Sequence, residues 1–369
     1  MKKVALIHDW LTGMRGGEKC LELFCQIFPQ AEIFTLLHLK GTVSPIIESH
    51  KIHSSYIQKI PFVAKRYRYY LPLFPSAIEN FDLTGFDLVL SSSHCVAKGV
   101  LPDTNARHVC YCYTPMRYAW DMRHEYFPLR KLRFFKRHTI PMILNYLRVW
   151  DVCANSRVDE FIAISEHVAK RIHRNYRRDA EVIYPPVDAH YFVPGQQQED
   201  FYLMVSALAP YKRVDLAIEA FNKLGFPLHI IGSGQDEKRL RKMAGPNITF
   251  HGWLPDEQVL EYYQKCRAFI FPGEEDFGIT PLEAMACGKP VVAYKRGGAT
   301  ETIIGYMPGR KDFTGVFFDE QTPDSLLDAI RLARKLDFSP ANIREHALTF
   351  DKERFIQQIK NRFKAYLPA

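Results

Sequence analysis

Short, uninterrupted apolar runs alternate along this chain with segments whose apolar residues recur every three to four positions. Runs at 4–7, 32–36, 86–90, 107–112 and 160–164 have the length and flanking turns of buried strands, and a second series follows at 202–208, 228–232, 248–251, 268–271 and 290–294. Between them lie helical patterns. One spans 18–28, and another places Val214, Ala217, Ile218, Phe221 and Leu224 on a single face. Strands alternating with helices predict an α/β protein with parallel sheets covered by helices. The polar stretch GQQQED at 195–200 interrupts the series. The expected organisation is a Rossmann-like domain over 1–194, a second over 195–350, and a C-terminal helix over 351–369 that crosses back to the first.

Composition bears on this picture in two ways. A chain of 369 residues that is 47% hydrophobic can fill two separate cores. The opening MKKVALIHDW has too short an apolar run for a secretion signal, no apolar run reaches 18 residues, and the eight cysteines are scattered without a C-x-x-C pair. A cytoplasmic protein with reduced thiols is expected. The net charge of +8 is uneven. Lys65-Arg66-Tyr67-Arg68-Tyr69-Tyr70-Leu71 and Arg130-Lys131-Leu132-Arg133-Phe134-Phe135-Lys136-Arg137 interleave bases with aromatic rings, a pattern suited to an anionic lipid surface as well as to an ordinary solvated helix face. No nucleic-acid-binding motif accompanies the bases, so no nucleic-acid partner is expected.

Candidate chemistry gathers where strands meet helices. Gly16-Gly17 follows the first strand, Gly232-Ser233-Gly234 follows a strand of the second series, and Gly297-Gly298 precedes a short helix around Glu301. Such turns can present backbone amides to an anion, although a glycine pair alone is more often only a turn. Lys212 and Arg213 stand where a strand-to-helix loop ends, in place to neutralise a diphosphate. The stretch "FIFPGEEDFGITPLEAMACGKPVVA" runs from strand to helix to strand, with Glu275 at the carboxyl end of the first strand, where ligands sit in open parallel sheets. Thr280-Pro281-Leu282-Glu283 has the form of a helix cap, so Glu283 is expected to be a capping-box glutamate.

These segments together, "GEEDFGITPLEAMACGKPVVA" with "VSALAPYKRVDLAIEAF" before it and "KRGGATETI" after it, resemble the retaining nucleotide-sugar glycosyltransferases of GT-B fold, family 4 (glycosyltransferase group 1). "HDWLTGMRGGEK" and "YTPMRYAWD" are similar to N-terminal segments of the mannosyl and deoxyhexosyl members. The resemblance implies two Rossmann-like domains facing across a cleft. It also implies that Glu275 contacts the donor sugar, Glu283 the ribose, and Lys212 the diphosphate. Gly16, Gly17, Gly297 and Gly298 would assist, with Ser206, Arg213, Gly232 and Gly278 also on the donor side. Two positions depart from the family pattern. Ala207 stands where an arginine usually partners the lysine, and Tyr113 stands where a sugar-contacting histidine is often found. Tyr113 would then take the histidine's part, with His94 and Arg117 as further acceptor or sugar contacts.

The implied reaction transfers a hexosyl group, mannosyl from GDP-mannose by preference, to a polyprenyl-linked glycan or polysaccharide acceptor at the inner face of the membrane. Negative charge develops on the departing diphosphate, and cations or oriented amides stabilise it. The chain has no Asp-x-Asp, so no metal is expected and Lys212 with the glycine turns would take that part. The alternative is a sugar-nucleotide-binding protein of the same fold whose transfer activity is impaired at Ala207 and Tyr113. A glycosidase carboxylate pair is disfavoured by the capping position of Glu283, and a dehydrogenase by the lack of a full G-x-G-x-x-G.

Overall fold

The computed structural model describes residues 2–127 and 134–367. The chain divides into two compact units, one formed by Met1–Tyr184 with Ile356–Ala369 and the other by Pro185–Phe355. The segment 195–200 lies in the second unit as exposed chain, where the Glu199 amide donates to the Lys265 carbonyl.

The first unit holds β1 (Val4–His8), β2 (Glu32–Thr35), β3 (Ile52–Ser54), β4 (Leu88–Ser93), β5 (Arg107–Cys112), β6 (Glu160–Ala163) and β7 (Ala180–Val182). All pairs are parallel, in the order β3-β2-β1-β4-β5-β6-β7. Every residue of β1 and of β4 is buried, although β4 ends in three serines, and β5 is buried beyond Arg107, as expected of central strands in a parallel sheet. The second unit repeats the plan with β8 (Tyr202–Val205), β9 (Leu228–Ile231), β10 (Ile248–Gly252), β11 (Ala268–Phe271), β12 (Val291–Tyr294) and β13 (Gly315–Phe318), ordered β10-β9-β8-β11-β12-β13. Three strands lay outside the sequence expectation. β3 and β7 are three residues long and only partly buried, and β13, GVFF, is an apolar run that periodicity alone leaves ambiguous.

In each unit the chain builds outward from its first strand, then returns to that strand's other side. The reversal falls between β1 and β4 in the first sheet and between β8 and β11 in the second. Strand carboxyl ends flanking such a reversal leave a crevice that ligands use.

The helix Ile279–Ala286 corrects one expectation. Its N-cap is Gly278, at φ 95° in the left-handed region, so Thr280 sits inside the first turn and caps nothing. A Cβ on Gly278 would also lie 2.9 Å from the Phe271 ring. Glu283 is therefore not a capping-box residue. It lies in the second turn, buried.

Candidate functional site

In the second unit the site is built on the carboxyl ends of β8 and β11. After β8 the chain makes one 3-10 turn, Pro210–Lys212, and Arg213 takes a left-handed φ of 54° to start the helix Val214–Leu224. This turn brings Lys212 against the loop that follows β11, where its ammonium pairs with the Glu275 carboxylate. Both side chains are largely buried, 16% and 14% exposed, so the pair is shielded from water yet still reachable. The loop is fixed from behind by glycines. Gly297 adopts φ 68°, and a Cβ there would stand 2.2 Å from the Glu275 carbonyl, which instead accepts the Gly298 amide at 2.8 Å. The Gly297-Gly298 turn thus acts by close backbone approach, holding Glu275 in place.

The other residues expected on the donor side divide. Ser206 and Gly232 follow the neighbouring strands β8 and β9, and Gly232, at φ 130°, would place a Cβ 2.0 Å from the Ser206 carbonyl. Arg213 is half-buried and directed to Asp215 at 3.3 Å and the Gln321 side chain at 3.2 Å, while Gln321 donates to the Pro272 carbonyl at 3.0 Å. Its guanidinium braces the wall of the loop. Glu283 accepts a 2.9 Å hydrogen bond from the buried Tyr263 hydroxyl. Burial, and then the neighbouring Glu283 charge, push the Tyr263 phenol well above its ordinary pKa, so it remains a donor.

In the first unit the carboxyl ends of β1, β4 and β5 place Asp9, His94 and Tyr113 side by side. Asp9 is fully buried and accepts the amides of His94 and Cys95 on one oxygen and those of Val96 and Ala97 on the other, at 2.7 to 2.9 Å. The His94 Nδ1 lies 3.0 Å from the same carboxylate. Burial pushes the Asp9 carboxyl upward, but the charge and hydrogen bonds of His94 outweigh it and bring the pKa down to about 2. With the Trp10 ring edge-on at 4.5 Å, the His94 imidazole is held in one orientation while about a third of its side chain stays open.

Gly16 and Gly17 open the helix Gly16–Ile27, two residues earlier than the expected start at 18. Glu18 accepts the Arg15 amide at 3.1 Å and lies 3.8 Å from His8 Nε2, and His8 Nδ1 is 2.6 Å from the Ser92 hydroxyl. The Tyr113 hydroxyl donates to the Gly17 carbonyl at 2.9 Å. That bond ties the hydroxyl to the glycine loop. Arg117 is half-buried in the turn after β5, with its carbonyl accepting the Met122 amide. Asp9, the most tightly held carboxylate of the edge, was not singled out from sequence. The signal available was its place at the end of a buried apolar run.

Two tandem Rossmann-like sheets of this topology, each with charged residues at its reversal point, define a GT-B fold. The fold is matched over 99% of this chain by the whole of the Anabaena protein HepE solved in complex with UDP, with a TM-score of 0.68 and 17% identity. Residues 191–349 match the family model described as glycosyl transferases group 1, so the chain carries a domain of that family. An uncharacterized glycosyltransferase of Methanocaldococcus jannaschii is 28% identical over 182 residues, 48% of this chain and 50% of that protein. O-antigen chain mannosyltransferase C of Escherichia coli is 32% identical over 112 residues, 28% of this chain and 30% of that one. The chain spans about half or less of the length of these curated relatives.

Proposed function

We propose that the protein is a retaining glycosyltransferase that moves a hexosyl group, mannosyl from GDP-mannose, to a lipid-linked or polysaccharide acceptor. The observation that carries this reading is the shielded Lys212–Glu275 pair at the β8/β11 reversal of a group 1 domain. A nucleotide-sugar laid along that edge would set its diphosphate on the ammonium and its sugar hydroxyls on the carboxylate. Lys212 then stabilises the charge that develops on the leaving diphosphate, the step that most needs electrostatic help. Glu275 orients the sugar, and the departing phosphate takes the acceptor proton on the same face. The mannosyl preference draws on the similarity to the O-antigen mannosyltransferase, whereas the UDP held by HepE makes a uridine donor the competing choice.

A peripheral place on an anionic membrane is part of the proposal. Among the described residues no helix is long and apolar enough to cross a membrane. Phe62 and Tyr69 are 76% and 79% exposed beside exposed Lys65, Arg66 and Arg68, while Tyr67 packs into the core. Arg130, Lys131 and Arg133 lie outside the described residues. Lys136 and Arg137 are exposed on the helix Phe134–Cys153, which continues into exposed Met142, Tyr146 and Val149 at helical spacing.

The test is a thermal-shift panel of GDP, UDP, ADP and dTDP, followed by turnover of the preferred nucleotide's sugars with a polyprenyl-diphosphate-linked acceptor in EDTA. Stabilisation by GDP and chelator-resistant transfer are expected. Stabilisation without donor hydrolysis or transfer would favour the impaired binding protein.

A further inference from the structure

A cluster of metal-ligating side chains lies on the two segments that flank the matched residues 191–349. Segments 187–190 and 350–353 run side by side, because the Val187 amide donates to the Phe350 carbonyl at 3.0 Å and the Lys352 amide to the Val187 carbonyl at 3.1 Å. Asp351 is buried, and its two oxygens accept the Ala189 amide at 3.0 Å and the Glu353 amide at 3.3 Å, which fixes the carboxylate. His190 Nε2 lies 3.8 Å from Asp351 Oδ2 and 3.4 Å from Glu353 Oε1, and one ligand atom from each of the three residues falls within 4.8 Å of the others. Lys352, the cation on the same strand of chain, is turned to Asp188 at 3.0 Å and so balances a different carboxylate.

We propose that His190, Asp351 and Glu353 bind a divalent transition-metal ion, with zinc as the representative. Zinc bonds of about 2.0–2.2 Å to imidazole nitrogen and carboxylate oxygen, set tetrahedrally, separate neighbouring ligand atoms by about 3.3–3.6 Å. Of the two imidazole–carboxylate separations, 3.4 Å falls within that range and 3.8 Å slightly beyond it before any ion is added. One imidazole with two carboxylates selects a zinc-like ion over magnesium, which prefers an all-oxygen octahedron. Three protein ligands leave a fourth position for water or an exogenous ligand. The chain passes between its two compact units at Tyr184–Pro185 and at Phe355–Ile356, within five residues of these ligands on each segment. An ion held by His190 from one segment and by Asp351 and Glu353 from the other would cross-link the two passages. The proposal is independent of the glycosyl-transfer reading and assigns this ion no part in it.

The experiment uses the full chain, stripped with chelator and titrated with ZnCl₂ by calorimetry, alongside His190→Ala, Glu353→Gln and the double variant that combines them. Both side chains are mostly exposed, 62% and 75%, so the variants keep the fold, which circular dichroism checks. One saturable equivalent of zinc is expected, weakened at least about ten-fold in each variant, the loss of one ligand's share of the affinity. Co²⁺ in place of zinc should give the visible absorption of a low-coordinate site, and His190→Ala should remove it. The melting temperature of the stripped protein should rise with zinc in the parent and not in the double variant. Absence of the single equivalent would overturn the assignment, as would an unchanged affinity in the double variant, which would place zinc on other histidines or cysteines.

Discussion

Glu275→Gln isolates the charge of the residue proposed to hold the donor sugar, because glutamine keeps the shape and one carbonyl acceptor. A hydrogen bond to a charged group contributes about 1.5–3 kcal/mol and a neutral one about 0.5–1.5, so each sugar hydroxyl held by the carboxylate loses about 1–1.5 kcal/mol on substitution. For two hydroxyls the loss is about 2–3 kcal/mol, and kcat/KM should fall about 30- to 150-fold. The same change releases Lys212, whose counter-charge in the unliganded protein is Glu275. Nucleoside diphosphate affinity should therefore hold or rise. Lys212→Gln should do the reverse and weaken the nucleotide first. Initial rates over a donor series, with nucleotide affinity from thermal shifts, separate the two effects. A Glu275→Gln protein with kcat/KM within about three-fold of the parent would refute the assignment. A parallel fall in nucleotide affinity would instead make Glu275 an organiser of the pocket wall.

Tyr113→Phe removes the donor to the Gly17 carbonyl, so a loss of about 0.5–1.5 kcal/mol in urea unfolding is expected together with a roughly 10- to 100-fold drop in kcat/KM. A variant silent in both measurements would exclude the hydroxyl from the site. His108 is buried with its ring nitrogens on Ser91 and the Arg157 carbonyl, and burial lowers its pKa to about 4. The unfolded chain near pH 6.5 binds the proton the native state refuses, so stability is fully present above that pH and should decline by about 3 kcal/mol on reaching pH 4. His229 and His251, both also lowered by burial, act in the same direction, so the His108→Gln protein should lose only part of the slope, measured by urea midpoints from pH 7.5 to 4.5. Changing Arg130, Lys131, Arg133, Lys136 and Arg137 to Gln should release the protein from anionic liposomes, at about 1 kcal/mol per surface base, with nucleotide affinity unchanged. Equal sedimentation with liposomes would make this an ordinary solvated face.

The alternation of apolar runs and helical periods determined the α/β class, the doubled plan and most strands, because a strand buried on both faces is largely an apolar run wherever it occurs. β5 and β11 agree with their expected limits, Arg107–Cys112 and Ala268–Phe271. Local pattern failed where a left-handed glycine and a distant partner changed the outcome. Thr280-Pro281-Leu282-Glu283 satisfies every local rule for a helix start, yet Gly278 starts the helix earlier and Glu283 faces Tyr263, twenty residues away. The pairings that make the candidate sites span longer distances still. Lys212 meets Glu275 only because β8 and β11 are neighbours in the sheet, and Asp9 meets the loop after β4, some 85 residues on, only because β1 and β4 are. Strand order is a property of the packed sheet rather than of any local stretch. A sequence therefore names the charged residues at strand ends, while the tertiary structure decides which of them share a crevice, how far each is taken from water, and which partner fixes its charge.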